Sequence, residues 1–324
     1  MRTRFAAAAV LVVAGLMAGC GGSGGSAGTT GSTGTPAGSS LAAVSGKVAD
    51  GYLVNATVFM DKNGNYQPDA GEPTATTDAN GNYTLTVDPA DVGQYPIVAM
   101  AVQGVTIDKD TNQVVANSYV LSMPANAVSG TVSSNFISPM STEVHELMAT
   151  GKYNMQQAMD LMSAQLGLPA GTNMLADYMA NSGSTTGQTM HTAAQNMASL
   201  MGSQMGQVMI TSGSGTTVDV NRYRGMMGAI FSNLSSVKGT GAGSQAAMTS
   251  LMGSMTTTLG TMPVGQPFRN MSASFRGMMG GSTSGGTMMG SSTGGTTTGS
   301  TSGGTVMGSG TGATGSGSGM GGQM

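Results

Sequence analysis

Residues 58–87 read VFMDKNGNYQPDAGEPTATTDANGNYTLTV, and this stretch decides what the N-terminal half of the chain can be. It opens and closes on β-prone runs, Val58-Phe59-Met60 and Tyr83-Thr84-Leu85-Thr86-Val87. Branched and aromatic side chains of this kind suit a pleated, half-buried surface. Between and beside them stand the turn signals Asn63-Gly64, Asn80-Gly81 and Pro89,. Moving outward, Gly46–Ala49, Tyr52–Val54, Ala56–Met60 and Ile97–Val102 are further short runs, with a turn at Asp50-Gly51. Strands this short, punctuated this often, predict a small all-β antiparallel sandwich over residues 45–135.

The segment from Asp61 to Glu72 carries the chemistry. Side-chain oxygens fall at loop positions 1, 3, 5, 9 and 12, which are Asp61, Asn63, Asn65, Asp69 and Glu72; Gln67 at position 7 is free to offer its carbonyl. That is EF-hand ligand spacing, and it suits Ca²⁺, which takes six to eight oxygens. Tyr66 holds the sixth position, where an EF-hand needs Gly, and no helical pattern flanks the loop. The reading is therefore a calcium loop between strands. Asp and Asn also form turns without any metal, so a plain turn is the competing reading. Nine of the 14 acidic residues lie between Asp50 and Asp110, which favours a cation,.

At these residues the chain resembles the B-type repeats of serine-aspartate surface proteins, and the related collagen-adhesin B and carboxypeptidase-regulatory-like sandwiches. Their loop pattern D-x-N-x-D-G-x-x-D-x-G-E is matched by Asp61, Asn63, Asp69, Gly71 and Glu72, with Asn65 in place of an Asp and Tyr66 in place of the Gly. The strand signature T-D-x-x-G-x-Y-x-L is matched by Thr77, Asp78, Gly81, Tyr83 and Leu85. The likeness spans about a tenth of the chain. It implies a prealbumin-like sandwich serving as a stalk or adhesive module, and not as an enzyme.

Beyond this region, over residues 136–265, the apolar period shifts from 2 to about 3.6, and a Met-rich all-α segment is expected. Ser141-Thr142-Glu143 opens a helix after Pro139, carrying Val144, Leu147 and Met148 on one face and closing at Gly151. Asn154 caps a second, with Met155, Met159, Met162 and Leu166, ending at Gly167-Leu168-Pro169,. Ile137-Ser-Pro-Met-Ser-Thr, with Leu175-Ala-Asp177-Tyr178 further on, resembles a region that follows such sandwiches in proteobacterial lipoproteins, with Met140 in place of Leu; the likeness carries no known activity. Met197, Met201, Met205 and Met209 recur every four residues, and Met248, Met252, Met255, Leu259 and Met262 follow a 4-3-4-3 seam. Met packs irregular cores, so these seams read as core. Two other uses compete: thioethers select Cu(I), and exposed Met is a reversible oxidant sink.

The first residues read as an address. Arg2 and Arg4 precede an apolar run from Phe5 to Met17, and Cys20 is the one Cys in the chain. Met17-Ala18-Gly19-Cys20 resembles a bacterial lipobox, with Met where Leu is usual. It implies a lipoprotein signal peptide over 1–19 and a lipid-modified Cys20 that anchors the chain, with Gly21 rather than Asp pointing to the outer membrane. Loss of Arg2 and Arg4 takes the net charge from −3 to −5. Residues 20–44 are a Gly/Ser/Thr tether and 266–324 a Gly/Ser/Thr/Met tail; residues 21–40 lack charge and large apolar side chains, 277–324 lack charge and are nearly all Gly, Ser, Thr or Met, and both arms are expected to be disordered,.

Composition removes several functions. At 8% charged residues against about a quarter in ordinary domains, there is no basic surface for nucleic acid. One Cys and two His exclude zinc ribbons and disulfide scaffolds,. His145-Glu146 begins a zinc-protease pattern, but Ala149 stands where the second His belongs,. His191 stands alone beside Met190 and reads as structural or exposed, with His plus Met assisting copper as the competing use,. In the tail, Gly290–Gly294 and Gly310–Gly315 imitate catalytic and nucleotide-binding glycine motifs without the strand and helix they require,. No catalytic constellation and no small-molecule substrate site is evident. The expected role is structural or adhesive at the cell envelope, through an unidentified envelope or surface partner. The alternative is a periplasmic Met-rich copper(I) or oxidant buffer.

Overall fold

The computed structural model describes residues 40–130, 135–212 and 215–264. Cys20, the tether up to residue 39 and the tail lie outside the described residues. The N-terminal part is β-rich: β1 (Ala42–Val48), β2 (Leu53–Val54), β3 (Thr57–Met60), β4 (Thr74–Thr76), β5 (Asn82–Val87), β6 (Ile97–Ala101), β7 (Ile107–Asp108), β8 (Gln113–Val114), β9 (Tyr119–Met123) and β10 (Asn135–Ile137). They form small sheets ordered β10-β1-β5, β2-β7-β8 and β4-β3-β6-β9.

In β5 the pattern is the expected alternation: Tyr83, Leu85 and Val87 are buried, while Thr84 and Thr86 face solvent. Strand β9 is different. All five of its residues are buried, and four of the five in β6 are. A strand covered on both faces has no polar side, so it reads as a continuous apolar run. One correction concerns direction. Strand β1 pairs antiparallel with β5 but parallel with β10, in the register Gly46↔Asn135. At that crossing a Cβ on Gly46 would lie 1.8 Å from the Asn135 carbonyl oxygen, so only glycine fits. A parallel partner needs a long crossover connection; here nearly the whole β-rich region lies between β1 and β10.

Five helices follow among the described residues: α1 (Pro139–Ala149), α2 (Met155–Leu166), α3 (Thr185–Val208), α4 (Val220–Val237) and α5 (Ala242–Thr261). Ser138 caps α1 in a box with Ser141, and Pro139 stands in the first turn, where its missing N–H is harmless,. Asn154 and Gln157 form the same reciprocal cap on α2, which Gly167 ends at φ 70°,. Ser184 and Asp219 cap α3 and α4 with their side chains, whereas Gly241 gives α5 no side-chain cap. The segment is not purely helical: β11 (Met209–Ser212) and β12 (Gly215–Val218) form a hairpin between α3 and α4.

One apolar core runs through both parts. Helix α1 packs against β9, and tyrosines tie the layers together. The Tyr223 hydroxyl donates to the Val120 carbonyl at 2.8 Å and that of Tyr178 to the Ala49 carbonyl at 3.0 Å. The methionine seams belong to this core. Met197, Met201, Met205, Met255 and Met262 are buried, Met248 and Met252 half-buried, and Met209 has left the helix to begin β11.

Candidate functional site

The Asp61–Glu72 loop joins β3 to β4, and its ends are fixed by Met60 N–H on the Pro73 carbonyl and Asp61 N–H on the Pro96 carbonyl, both 3.1 Å. Asp61 is buried and turned inward. Its Oδ1 accepts from the backbone N–H of Gly64 at 2.7 Å and Asn65 at 3.2 Å, and its Oδ2 from Tyr66 at 2.9 Å. Asn63 and Asn65 send their side-chain amides to one atom, Asp69 Oδ2, at 2.6 and 2.7 Å. Their own Oδ1 atoms accept from the backbone of Asn65 and Gln67. Glu72 closes the ring, with Oε1 on Lys62 N–H at 2.7 Å and Oε2 on Asp69 N–H at 3.0 Å. The loop thus gathers Asn63, Asn65 and Asp69 at one point and holds Glu72 beside it. Asp61 is a separate anchor, and among the described residues no three His, Cys, Asp or Glu side chains gather closely enough to hold a metal.

Tyr66 was the departure from the EF-hand pattern, and it explains how this loop works. Its φ is 60°, the left-handed conformation for which an EF-hand uses Gly at the sixth position. A side chain there costs about 1–2 kcal/mol, which burial of the ring offsets. Tyr66 is 1% exposed and its ring centroid lies 4.6 Å from that of Tyr223 on α4. The hydroxyl donates to Glu146 Oε1 on α1. The spacing of oxygens gave the loop away in the sequence; nothing local pointed to Tyr66 as its link to the helices.

Beneath Tyr66 lies a buried polar group. Arg224 Nε stands 3.4 Å from Glu146 Oε2, and His145 Nδ1 shares a hydrogen bond of 2.8 Å with the Ser122 hydroxyl. Glu143 is buried one turn before, with no hydrogen-bond partner on Oε2. Burial first, then the neighbouring Glu146, holds the Glu143 carboxyl well above the usual range. Burial also raises Glu146, against the opposing pull of Arg224 and Tyr66. His145 is pushed down to about 4 by burial and by Arg224, so its imidazole is neutral. The sequence fragment His145-Glu146 is therefore part of a helix-to-loop junction.

A second acidic confluence surrounds Gly51. A Cβ there would lie 2.4 Å from Asp108 Oδ1 and 2.7 Å from Asp110 Oδ2, so a larger residue would displace both carboxylates. The neighbouring Asp50 is buried, accepts from the Tyr119 hydroxyl at 2.7 Å, and has no partner on Oδ1. Burial raises its carboxyl to about 7, with Asp108 and Asp110 pushing the same way and Tyr119 opposing. From α3, His191 Nε2 reaches Asp110 Oδ2 at 2.5 Å and Gln195 reaches the same oxygen at 2.9 Å. The His191 ring stacks on Tyr178. His191 is thus a partnered residue of the fold, a role that only the folded chain reveals.

Comparison with family models, curated proteins and solved structures gives no match. No helix among the described residues is long and apolar enough to cross a membrane.

Proposed function

We propose that the chain is a lipid-anchored, non-catalytic binding module of the cell envelope, held to the outer membrane through Cys20 and stabilised by Ca²⁺ at the Asp61–Glu72 loop. Its β-rich region is read as a prealbumin-like sandwich extended by a parallel strand and backed by helices. The observation that carries the calcium reading is the convergence of Asn63 and Asn65 on Asp69 Oδ2, with Glu72 hydrogen-bonded alongside; the anchor rests on the sequence Met17-Ala18-Gly19-Cys20. Two amide dipoles there supply the positive charge that a hard cation supplies more strongly.

The donor set is all oxygen and fits Ca²⁺: Asp69 and Glu72 bring charge, and Asn63, Asn65 and the Gln67 carbonyl are neutral ligands. An amide oxygen replaces its nitrogen by a half-turn of the side chain, which gives up the bonds that the Asn63 and Asn65 oxygens accept from the Asn65 and Gln67 backbone. When bound, the ion supplies charge neutralisation and rigidity. The chain's own contribution is to hold the loop in register through Tyr66, so that occupancy is felt in α1 and α4. With Asp69 and Glu72 as the charged ligands and Asp61 as the buried anchor of the loop, affinity in the extracellular range of 10⁻⁴–10⁻³ M is expected.

Thermal unfolding of the mature chain in millimolar Ca²⁺ and in chelator tests this. Calcium is expected to raise Tm by several degrees, through stabilisation of about RT ln(1 + [L]/Kd). Asp69→Ala and Glu72→Ala are expected to abolish the increment. Equal Tm with and without Ca²⁺ makes the loop a turn only.

A further inference from the structure

Among the described residues, methionines occur in two different settings. Those of the seams, such as Met197, Met201 and Met205, are sealed in the core, and Leu would serve there as well,. Three others meet in a different setting. Met123, the last residue of β9, and Met155 and Met159 of α2 line one groove of about 460 Å³ that opens to solvent. Met155 and Met159 are four residues apart on a helix, so they share a face with their Cβ atoms about 5–6 Å apart. Met123 is buried and the two helical methionines are half-buried. The polar side chains in the lining are the neutral amides of Gln156 and Asn173; no carboxylate, imidazole or ammonium group takes part.

This donor set is selective. A hard divalent cation would enter without a counter-charge, which an apolar wall penalises heavily. A soft monovalent cation brings half the charge and prefers thioether sulfur over oxygen. Each Met side chain has three rotatable bonds and a polarizable sulfur, so the groove is lined by adaptable soft donors. We propose that this groove is a Cu(I) site, with Met123, Met155 and Met159 as its ligands. It is independent of the Asp61–Glu72 loop, whose oxygen donors take the opposite class of metal.

The test uses the full chain labelled with ¹³C at the methionine methyl groups, titrated with Ag(I) and then with Cu(I) kept reduced by ascorbate. The Met123, Met155 and Met159 methyl resonances are expected to shift together and saturate at the first equivalent. The combined Met123→Leu, Met155→Leu and Met159→Leu variant is expected to bind that equivalent at least roughly tenfold more weakly. A matched Met197→Leu, Met201→Leu and Met205→Leu variant is expected to bind as the parent does. Ion uptake by methionines beyond residue 264 with the three groove methyls unmoved overturns the proposal, as does parental affinity in the groove variant. Should that variant not fold, the methyl titration of the parent chain decides alone.

Discussion

Two acid-rich turns in this molecule are built alike and anchored differently. The Asp61–Glu72 loop and the turn from Asp108 to Asn112 each rest on an Asp whose Oδ1 accepts a backbone N–H from two or three residues on, and each holds a non-glycine residue at positive φ, Tyr66 at 60° and Asn112 at 53°. The first sends Tyr66 into the core, between Tyr223 and Glu146. The second stays at the surface and is met from outside by His191 and Gln195. Turn chemistry alone therefore fixes the local path of the chain. Whether a turn belongs to the core or only touches it depends on one side chain and what receives it.

The largest expected effect is at the buried anchor. Tyr66→Ala removes a ring from the core and leaves Glu146 Oε1 without its donor. A loss of about 3–5 kcal/mol in chemical denaturation is expected, whereas Tyr66→Phe, which keeps the ring, is expected to lose about 1–3 kcal/mol. If the two substitutions are equally mild, Tyr66 is not the link between loop and helices.

Acidity separates the turns next. His145, beneath the first, is held neutral down to about pH 4, against 6.5 in the unfolded chain. Its contribution is complete above the unfolded value and is lost as pH falls from 6.5 towards 4, because the unfolded state takes up the proton first. This loss is on the order of 3 kcal/mol. His145→Asn is expected to flatten the profile in that window. Asp50, beside the second turn, has the opposite sign. With its carboxyl raised from 3.8 to about 7, stability falls as pH rises through that interval, and Asp50→Asn is expected to flatten that limb. An unchanged acid limb in the His145 variant contradicts burial of the neutral imidazole.

The smallest effect belongs to the surface clasp. The His191–Asp110 pair is partly open to water, with both side chains about a fifth exposed. Pairs of this kind contribute roughly 0.2–1 kcal/mol. His191→Ala is therefore expected to move Tm by only a few degrees, and a loss as large as that of Tyr66→Ala would remove the distinction between the turns.

Much of this was legible in the residues. Asn154 and Gly167 bound α2 as their chemistry requires, and the alternation in β5 was visible as Tyr83, Leu85 and Val87. The seam Met255, Leu259, Met262 falls on the buried side of α5 and its C-cap. Strands β9 and β10 were not legible, for different reasons. Residues Tyr119–Met123 are buried throughout and show no alternation. Asn135–Ile137 is three residues long and gains its identity from β1, about 90 positions away in the chain. In the loop, oxygen spacing identified the polar residues, but not which of them converge. Asp61 faces inward because three backbone N–H groups claim it. The role of Tyr66 depends on Glu146 and Tyr223, which only tertiary structure brings near.

Hydrogen exchange of the full chain with and without Ca²⁺ tests most directly whether the Asp61–Glu72 loop is a cation-responsive joint between sheet and helices. Slower exchange in the loop and, with it, in α1 and α4 is expected, while α5, which carries neither Glu146 nor Tyr223, keeps its rate. Unchanged exchange throughout, or protection of the loop with α1 and α4 unmoved, would contradict the joint.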